Sequence, residues 1–267
     1  MKHLLVFTDL DGTLLDHHSY SYAPARDAIE RLRTLGIPLI FNSSKTQAEI
    51  RALRRRLDNA HPYVVENGAA VCVPPKYFPG FPAAEHVEFL GPAREGLMEC
   101  LARLRERRGY LFKGFSDYSD AELASETGLP VAAAGLAKMR VASEPVRWLD
   151  TPAALHRFEA DLRDSGLNLL RGGRFYHVMG QTDKADAMAW LVGQYRKAQP
   201  NVEFVTVALG DSANDKRMLE AADIPVVIPA AHGTPLTLDD AHGAIYPRDK
   251  GPVGWQSAME RVFEAIF

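Results

Sequence analysis

Cysteine is scarce in this 267-residue chain: Cys72 and Cys100 stand alone, with no CxxC pair and no evenly spaced framework. That excludes a disulfide scaffold and a thiolate zinc site, and it fits a reducing cytoplasm. Long apolar runs are also missing. The N-terminus MKHLLVFTDLDG holds four consecutive apolar residues before acids intervene, too few for the hydrophobic region of a signal peptide. No run approaches the length of a membrane span, so no membrane partner is expected. Charge of one sign is absent as well. Lys plus Arg number 31 against 34 Asp plus Glu, a net charge of −3 that does not advertise nucleic acid as a partner. The arginine groups at 54–56 and 103–108 read as solvated helix faces. No internal repeat and no low-complexity tract occurs.

What is present is alternation. LLVF (4–7) reads as a buried strand, and PARDAIERLRTLG (24–36) as a helix with Ala28, Ile29, Leu32 and Leu35 on one stripe. IPLIFN (37–42) is again strand-like. SSKTQAEIRALRRRL follows, opened by a capping-box pattern at Ser44 and Gln47, and YVV (63–65) makes a third strand. The last third repeats the pattern: helix over 182–198, strand VEFVTVAL (202–209), helix NDKRMLEAA and strand IPVVIP (224–229). Strands alternating with helices predict an α/β fold, a doubly wound, mostly parallel sheet whose ligands sit beyond the carboxyl ends of the strands.

Between them the texture changes to helices mixed with short strand candidates: YLFKG, KMRVAS, LNLLRG and RFYHV. An inserted α+β cap is expected over residues 84–183, with 1–83 and 184–267 forming the core. VPPKYFPGFP (73–82) is the expected linker into the insert and GQTD (180–183) the linker out.

Chemistry concentrates at the strand ends. Asp9 and Asp11 follow one strand, Asp211 and Asp215 another, with Asn214 between the latter two. Two like charges about 4 Å apart repel by roughly 4 kcal/mol at an effective dielectric near 20, so converging carboxylates capture a proton or a cation. A hard cation with oxygen ligands, Mg2+, is the economical choice. Phosphate chemistry accounts for the other parts. Ser43 at a strand end can donate its hydroxyl to a phosphoryl oxygen, Lys184 at a helix start supplies positive charge, and backbone N–H groups near Ser44 add donors.

DLDGT, a strand ending in serine, a lysine opening a helix and GDSAND after a strand, in that order, resemble the four motifs of the haloacid dehalogenase-like phosphohydrolases. The resemblance implies that Asp9 is the nucleophile forming an aspartyl-phosphate, and that Asp11 protonates the leaving oxygen and later deprotonates water. It also implies that Mg2+ is held by Asp9, the carbonyl of Asp11 and Asp211, with Asp215 and Asn214 supporting it. The insert's place between the second and third motifs is that of the Cof-like branch.

FNSSKTQAEI, PYVVENGAAV, MRVASEPVRW and GGRFYHVMGQTDKADA are similar to the mannosyl-3-phosphoglycerate phosphatase family over nearly the whole chain. The substrate so implied is a small anionic phosphorylated sugar, with glucosyl-3-phosphoglycerate a near neighbour of the mannosyl compound. Broader sugar phosphatases, a phosphosugar mutase and a non-catalytic binding protein are the competing readings. A glycosyl phosphoglycerate carries a carboxylate, which arginine's fork suits. Arg140, Ser143, Glu144, Gly172, Gly173 and Arg174 are therefore the candidate substrate contacts, beside Ser44. His177, within the alternating RFYHV, is read as structural. Val141 stands where family members often carry an acid.

Overall fold

The computed structural model describes residues 2–172, 174–230, 235–239 and 243–267. Its central sheet contains β1 (Lys2–Thr8), β2 (Leu39–Phe41), β10 (Glu203–Gly210) and β11 (Ile224–Val227) in the order β11-β10-β1-β2. All its pairings are parallel, with Val6 opposite Val207 on one side and Leu39 on the other. Strand β3 (Tyr63–Val65) joins through a single parallel bridge between Asn42 and Val64.

Side-chain alternation explains why both faces are covered. Leu4 and Val6 point to one face, where α1 (Arg26–Thr34), α2 (Gln47–Arg56) and α9 (Gly251–Ile266) pack with Ile29, Leu53 and the buried Trp255. Leu5 and Phe7 point to the other, against Met188 and Leu191 of α7 (Lys184–Ala198) and Met218 of α8 (Lys216–Glu220). The chain runs from β1 to one side of the sheet and from β10 to the other. The strand order therefore reverses between β1 and β10, where a crevice opens at the carboxyl ends.

β3 pairs with β4 (Ala70–Val73), and β4 with β5 (His86–Phe89), both antiparallel. The stretch VPPKYFPGFP thus connects two paired strands and is not a free linker. Its Phe78 is buried, and Tyr77 meets Tyr195 of α7 oxygen to oxygen at 2.8 Å. A separate antiparallel sheet follows, built from β6 (Phe112–Gly114), β7 (Ser143–Trp148), β8 (Leu167–Arg171) and β9 (Tyr176–Gly180) in the order β6-β7-β9-β8. One face of it carries Val146 and Val178, packed on Leu97 of α3 (Arg94–Arg108) and Phe158 of α6 (Pro152–Asp164). A second small cluster joins Phe115 to α4 (Asp120–Thr127) and α5 (Val131–Lys138). The architecture is thus an α/β core with a parallel sheet, bearing a cap with its own antiparallel sheet.

Two local expectations need correction. KMRVAS is no strand: Lys138 ends α5, and β7 begins only at Ser143. The cap of α2 is Thr46 with Glu49, not Ser44 with Gln47; Thr46 Oγ1 accepts from Glu49 N at 3.3 Å while Glu49 accepts from Thr46 N at 2.8 Å. Among the described residues no helix is long and apolar enough to cross a membrane.

Candidate active site

Adjacent strands β1 and β10 end beside one another, so the acids that follow them converge. Carboxylate oxygens of Asp9, Asp211 and Asp215 lie within 4.8 Å of one another. Lys184 enters this cluster from the first turn of α7. It is fully buried, and its Nζ donates to Asp9 Oδ1 at 2.5 Å and to Asp215 Oδ1 at 2.6 Å. Burial pulls the Lys184 ammonium down, but Asp215 and Asp9 outweigh it and hold it above its ordinary range. Burial is also the largest influence on Asp9, whose carboxyl is raised well above the usual carboxylate range despite Lys184. Asp211 is pushed up to about 7, first by burial and then by the charge of Asp215.

Asp215 is already engaged on both oxygens. Oδ1 takes Lys184, and Oδ2 accepts the backbone N–H groups of Asp211 and Ser212, each at 3.1 Å. It braces the loop after β10, while its carboxylate stays part of the acidic cluster with Asp9 and Asp211. Asp211 Oδ1 accepts from Thr13 at 3.2 Å. Among the described residues no hydrogen bond reaches Asp9 Oδ2 or Asp211 Oδ2. An all-oxygen donor set with two uncommitted carboxylate atoms fits a hard divalent cation. Gly12 makes this approach possible: at φ +86 a Cβ there would fall 2.6 Å from Asp211 Oδ2. Asp9 is held from behind, its carbonyl accepting from Thr8 Oγ1 at 2.7 Å, which in turn accepts from Trp255 Nε1 at 3.0 Å.

Asp11 stands apart from the cluster. Its Oδ2 pairs with Lys45 Nζ at 2.8 Å, while Oδ1 is buried with no hydrogen-bond partner. The ammonium of Lys45 is penalised by burial, yet Asp11 and Glu49 hold it above its ordinary range. Lys45 went unrecognised in the sequence because a lysine two residues before a helix looks like a solvated one.

Two adjoining cavities open here. One, of ≈ 340 Å3, is lined by Asp9, Asp11, Ser44, Asn67, Arg171, Gly172, His177 and Asn214 among others. The other, of ≈ 300 Å3, shares Asp11, Ser44 and His177 and adds Lys45, Phe115, Arg140 and Arg174. Ser44 therefore faces the cavities. Ser43 is buried beside it, with its Oγ accepting from Lys45 N at 3.3 Å. Asn214 donates to Asn67 Oδ1 at 2.9 Å, tying the loop after β10 to the turn Glu66–Gly68.

The cap candidates divide. Arg140 bridges cap and core, its Nη1 donating to Ser44 O at 3.0 Å and its Nε to Ala137 O at 3.0 Å. Arg174 lines the second cavity, but its guanidinium holds the carbonyls of Glu126 and Thr127 at 2.9 and 2.5 Å. Ser143 and Glu144 line neither cavity. Ser143 Oγ donates to Glu66 Oε2 at 2.6 Å; Glu144 is fully buried, taking Arg94 at 2.8 Å and the N–H and hydroxyl of Ser116, each at 2.7 Å. Gly172 lines the first cavity, and Gly173 lies outside the described residues. Val141 packs its side chain on the apolar core, while its N–H, like that of Ala142, donates to Glu66. His177 lines both cavities.

A buried lysine between two aspartates, a third aspartate after the neighbouring strand and an antiparallel cap across the opening define a haloacid dehalogenase-like hydrolase, a phosphatase of the Cof-like kind. A family model described as haloacid dehalogenase-like hydrolase matches residues 6–78. Over 269 residues the chain is 38% identical to the glucosyl-3-phosphoglycerate/mannosyl-3-phosphoglycerate phosphatase of Methanococcoides burtonii, covering 97% of this chain and 96% of that one. The chain belongs to that phosphatase family. Two solved structures share its fold. The phosphatase BT1666 from Bacteroides thetaiotaomicron superposes with a TM-score of 0.69 at 17% identity, over 99% of this chain and 95% of that one. The sucrose-phosphatase from Synechocystis sp. PCC6803, solved with sucrose and phosphate, gives 0.61 at 15% identity over 98% of each.

Proposed function

We propose that the protein is a Mg2+-dependent phosphomonoesterase of the cytoplasm that removes phosphate from a glycosyl-3-phosphoglycerate, the mannosyl or the glucosyl compound, to leave the glycosylglycerate. The observation that carries the reading is the Asp9 carboxylate: one oxygen is fixed by Lys184, the other is uncommitted, and it lines a cavity shared with Asp11. The substrate class follows from the relative in M. burtonii. We place the catalytic core at 1–83 and 184–267, extended through β5, which pairs with β4, and the substrate-selecting cap between β5 and α7.

Asp9 attacks phosphorus as the P–O bond to the glycerate breaks, and the leaving oxygen takes a proton from Asp11. Asp11 then accepts a proton from water as that water attacks phosphorus, releasing phosphate and restoring Asp9. Mg2+, held by Asp9, the Asp11 carbonyl and Asp211, would neutralise phosphoryl charge. Lys184 orients Asp9, Asp215 fixes the loop that presents Asp211, and Ser43 and Ser44 supply donors to the phosphoryl oxygens. The cap limits the access of bulk water during phosphoryl transfer to Asp9.

The test is phosphate release from both glycosyl-3-phosphoglycerates and a panel of hexose phosphates, with Mg2+ and with chelator. A large preference for a glycosyl-3-phosphoglycerate, abolished by chelation, is expected. Equal rates across hexose phosphates would refute the substrate assignment. Transfer of phosphate to sugar without net release would refute hydrolysis in favour of a mutase.

A further inference from the structure

A phosphoglycerate ester brings two anions to the site. The phosphoryl group is answered by Lys184, the oxygen-only cation site and the loop donors. The carboxylate needs a cation of its own, and most of those near the cavities are already occupied. Lys184 is fully buried between Asp9 and Asp215. Lys45 is paired with Asp11. The guanidinium of Arg140 holds the carbonyls of Ala137 and Ser44, and that of Arg174 holds those of Glu126 and Thr127.

Arg171 differs. It ends β8, an edge strand of the cap sheet, opposite Tyr176 of β9. It lines the same cavity as Asp9 and Asp11, and among the described residues its guanidinium has no hydrogen-bond or ion-pair partner. A second observation bears on this wall: His177, which lines the same cavity, has a buried Nδ1 with no hydrogen-bond partner among the described residues. Gly172, next to Arg171 and lining the same cavity, leaves room for the His177 ring, because a Cβ there would fall 2.7 Å from Phe175 O and 3.1 Å from His177 Nε2.

We infer that Arg171 is the residue that reads the carboxylate of the leaving group, and so sets the preference for phosphoglycerate esters over uncharged phosphate esters. This rests on the glycosyl-3-phosphoglycerate reading above. A fork of parallel N–H donors facing a carboxylate suits the task, and the outward position of an edge strand keeps it hydrated until the substrate arrives.

The experiment compares 3-phosphoglycerate with glycerol 3-phosphate as competitive inhibitors of p-nitrophenyl phosphate hydrolysis, in the Mg2+-loaded wild type, Arg171→Gln and Arg171→Lys. The ratio of the two inhibition constants isolates the carboxylate. In the wild type 3-phosphoglycerate should bind about tenfold tighter or better, the size of one charge-assisted pair. Arg171→Gln should bring the ratio near one, with Arg171→Lys between. A wild-type ratio near one, or a ratio kept in Arg171→Gln, would overturn the assignment. Neither inhibitor carries a sugar, so the outcome is independent of whether the enzyme then prefers a glycosyl-3-phosphoglycerate in the release assay.

Discussion

Replacing Lys184 by Met keeps length and volume while removing the buried cation between Asp9 and Asp215. Both ion pairs are short, at 2.5 and 2.6 Å, and lysine and Asp215 are fully buried. The raised ammonium of Lys184 is charged in the folded protein at every pH below its unfolded value of about 10.4, so its contribution is fully present at pH 7.5. Without it, Asp9, Asp211 and Asp215 share a site with no cation from the protein. Breaking one side of a buried pair costs about 3–5 kcal/mol. With a urea slope of about 2–3 kcal/mol per molar, the unfolding midpoint in chelator should fall by about 1–2.5 M. Mg2+ should recover more stability in the variant than it adds to the wild type, because it then supplies the missing charge; a cation at 100 times its Kd contributes about 2.7 kcal/mol. Phosphatase activity with saturating Mg2+ should still drop by about 100-fold or more, since Asp9 loses its orienting partner. An unchanged midpoint in chelator, or equal Mg2+ stabilisation of the two proteins, would refute this account of the cluster.

Other substitutions probe separate links. Gly12→Ala forces a Cβ to 2.6 Å from Asp211 Oδ2 at a φ of +86; it should cost about 1–3 kcal/mol in a urea melt and weaken the Mg2+ dependence of activity measured by cation titration. Glu66→Ala removes a fully buried acceptor of the Val141 and Ala142 N–H groups and the Ser143 hydroxyl. A loss of about 3 kcal/mol is expected, with faster amide exchange confined first to residues 139–143 in a mass-spectrometric exchange experiment. His61 is pushed down to about 4 by burial and then by Arg54. Its folded value lies below the unfolded value of about 6.5, so the stability it contributes is present above pH 6.5 and lost as pH falls towards 4. His61→Gln should reduce that acid-limb loss in pH-dependent urea melts by up to about 3 kcal/mol.

Much of the candidate site was legible because its determinants are local. Apolar runs ending in acids, LLVF before Asp9 and VTVAL before Asp211, give both the strands and the end of the sheet at which chemistry sits. Glycine after Asp11 and lysine at the start of α7 are likewise local signals. Placing Asp9, Asp211 and Asp215 within 4.8 Å required only that β1 and β10 be neighbours, as a doubly wound order makes them. Local pattern failed where long-range partners decide the outcome. A glutamate in MRVASEP looks available to substrate until Arg94 and Ser116 close on Glu144.

The amino-acid sequence by itself determined the α/β class, the four motif positions and the family, because each depends on hydrophobic period and on residue order along the chain. Only the tertiary structure decided which charged groups remain free. Arg174 and Arg171 are three residues apart on one hairpin, yet one guanidinium closes on the carbonyls of the last two residues of α4 and the other stays open to the cavity of Asp9. The difference lies in partners brought from distant segments, and no spacing along the chain encodes which of two arginines finds one.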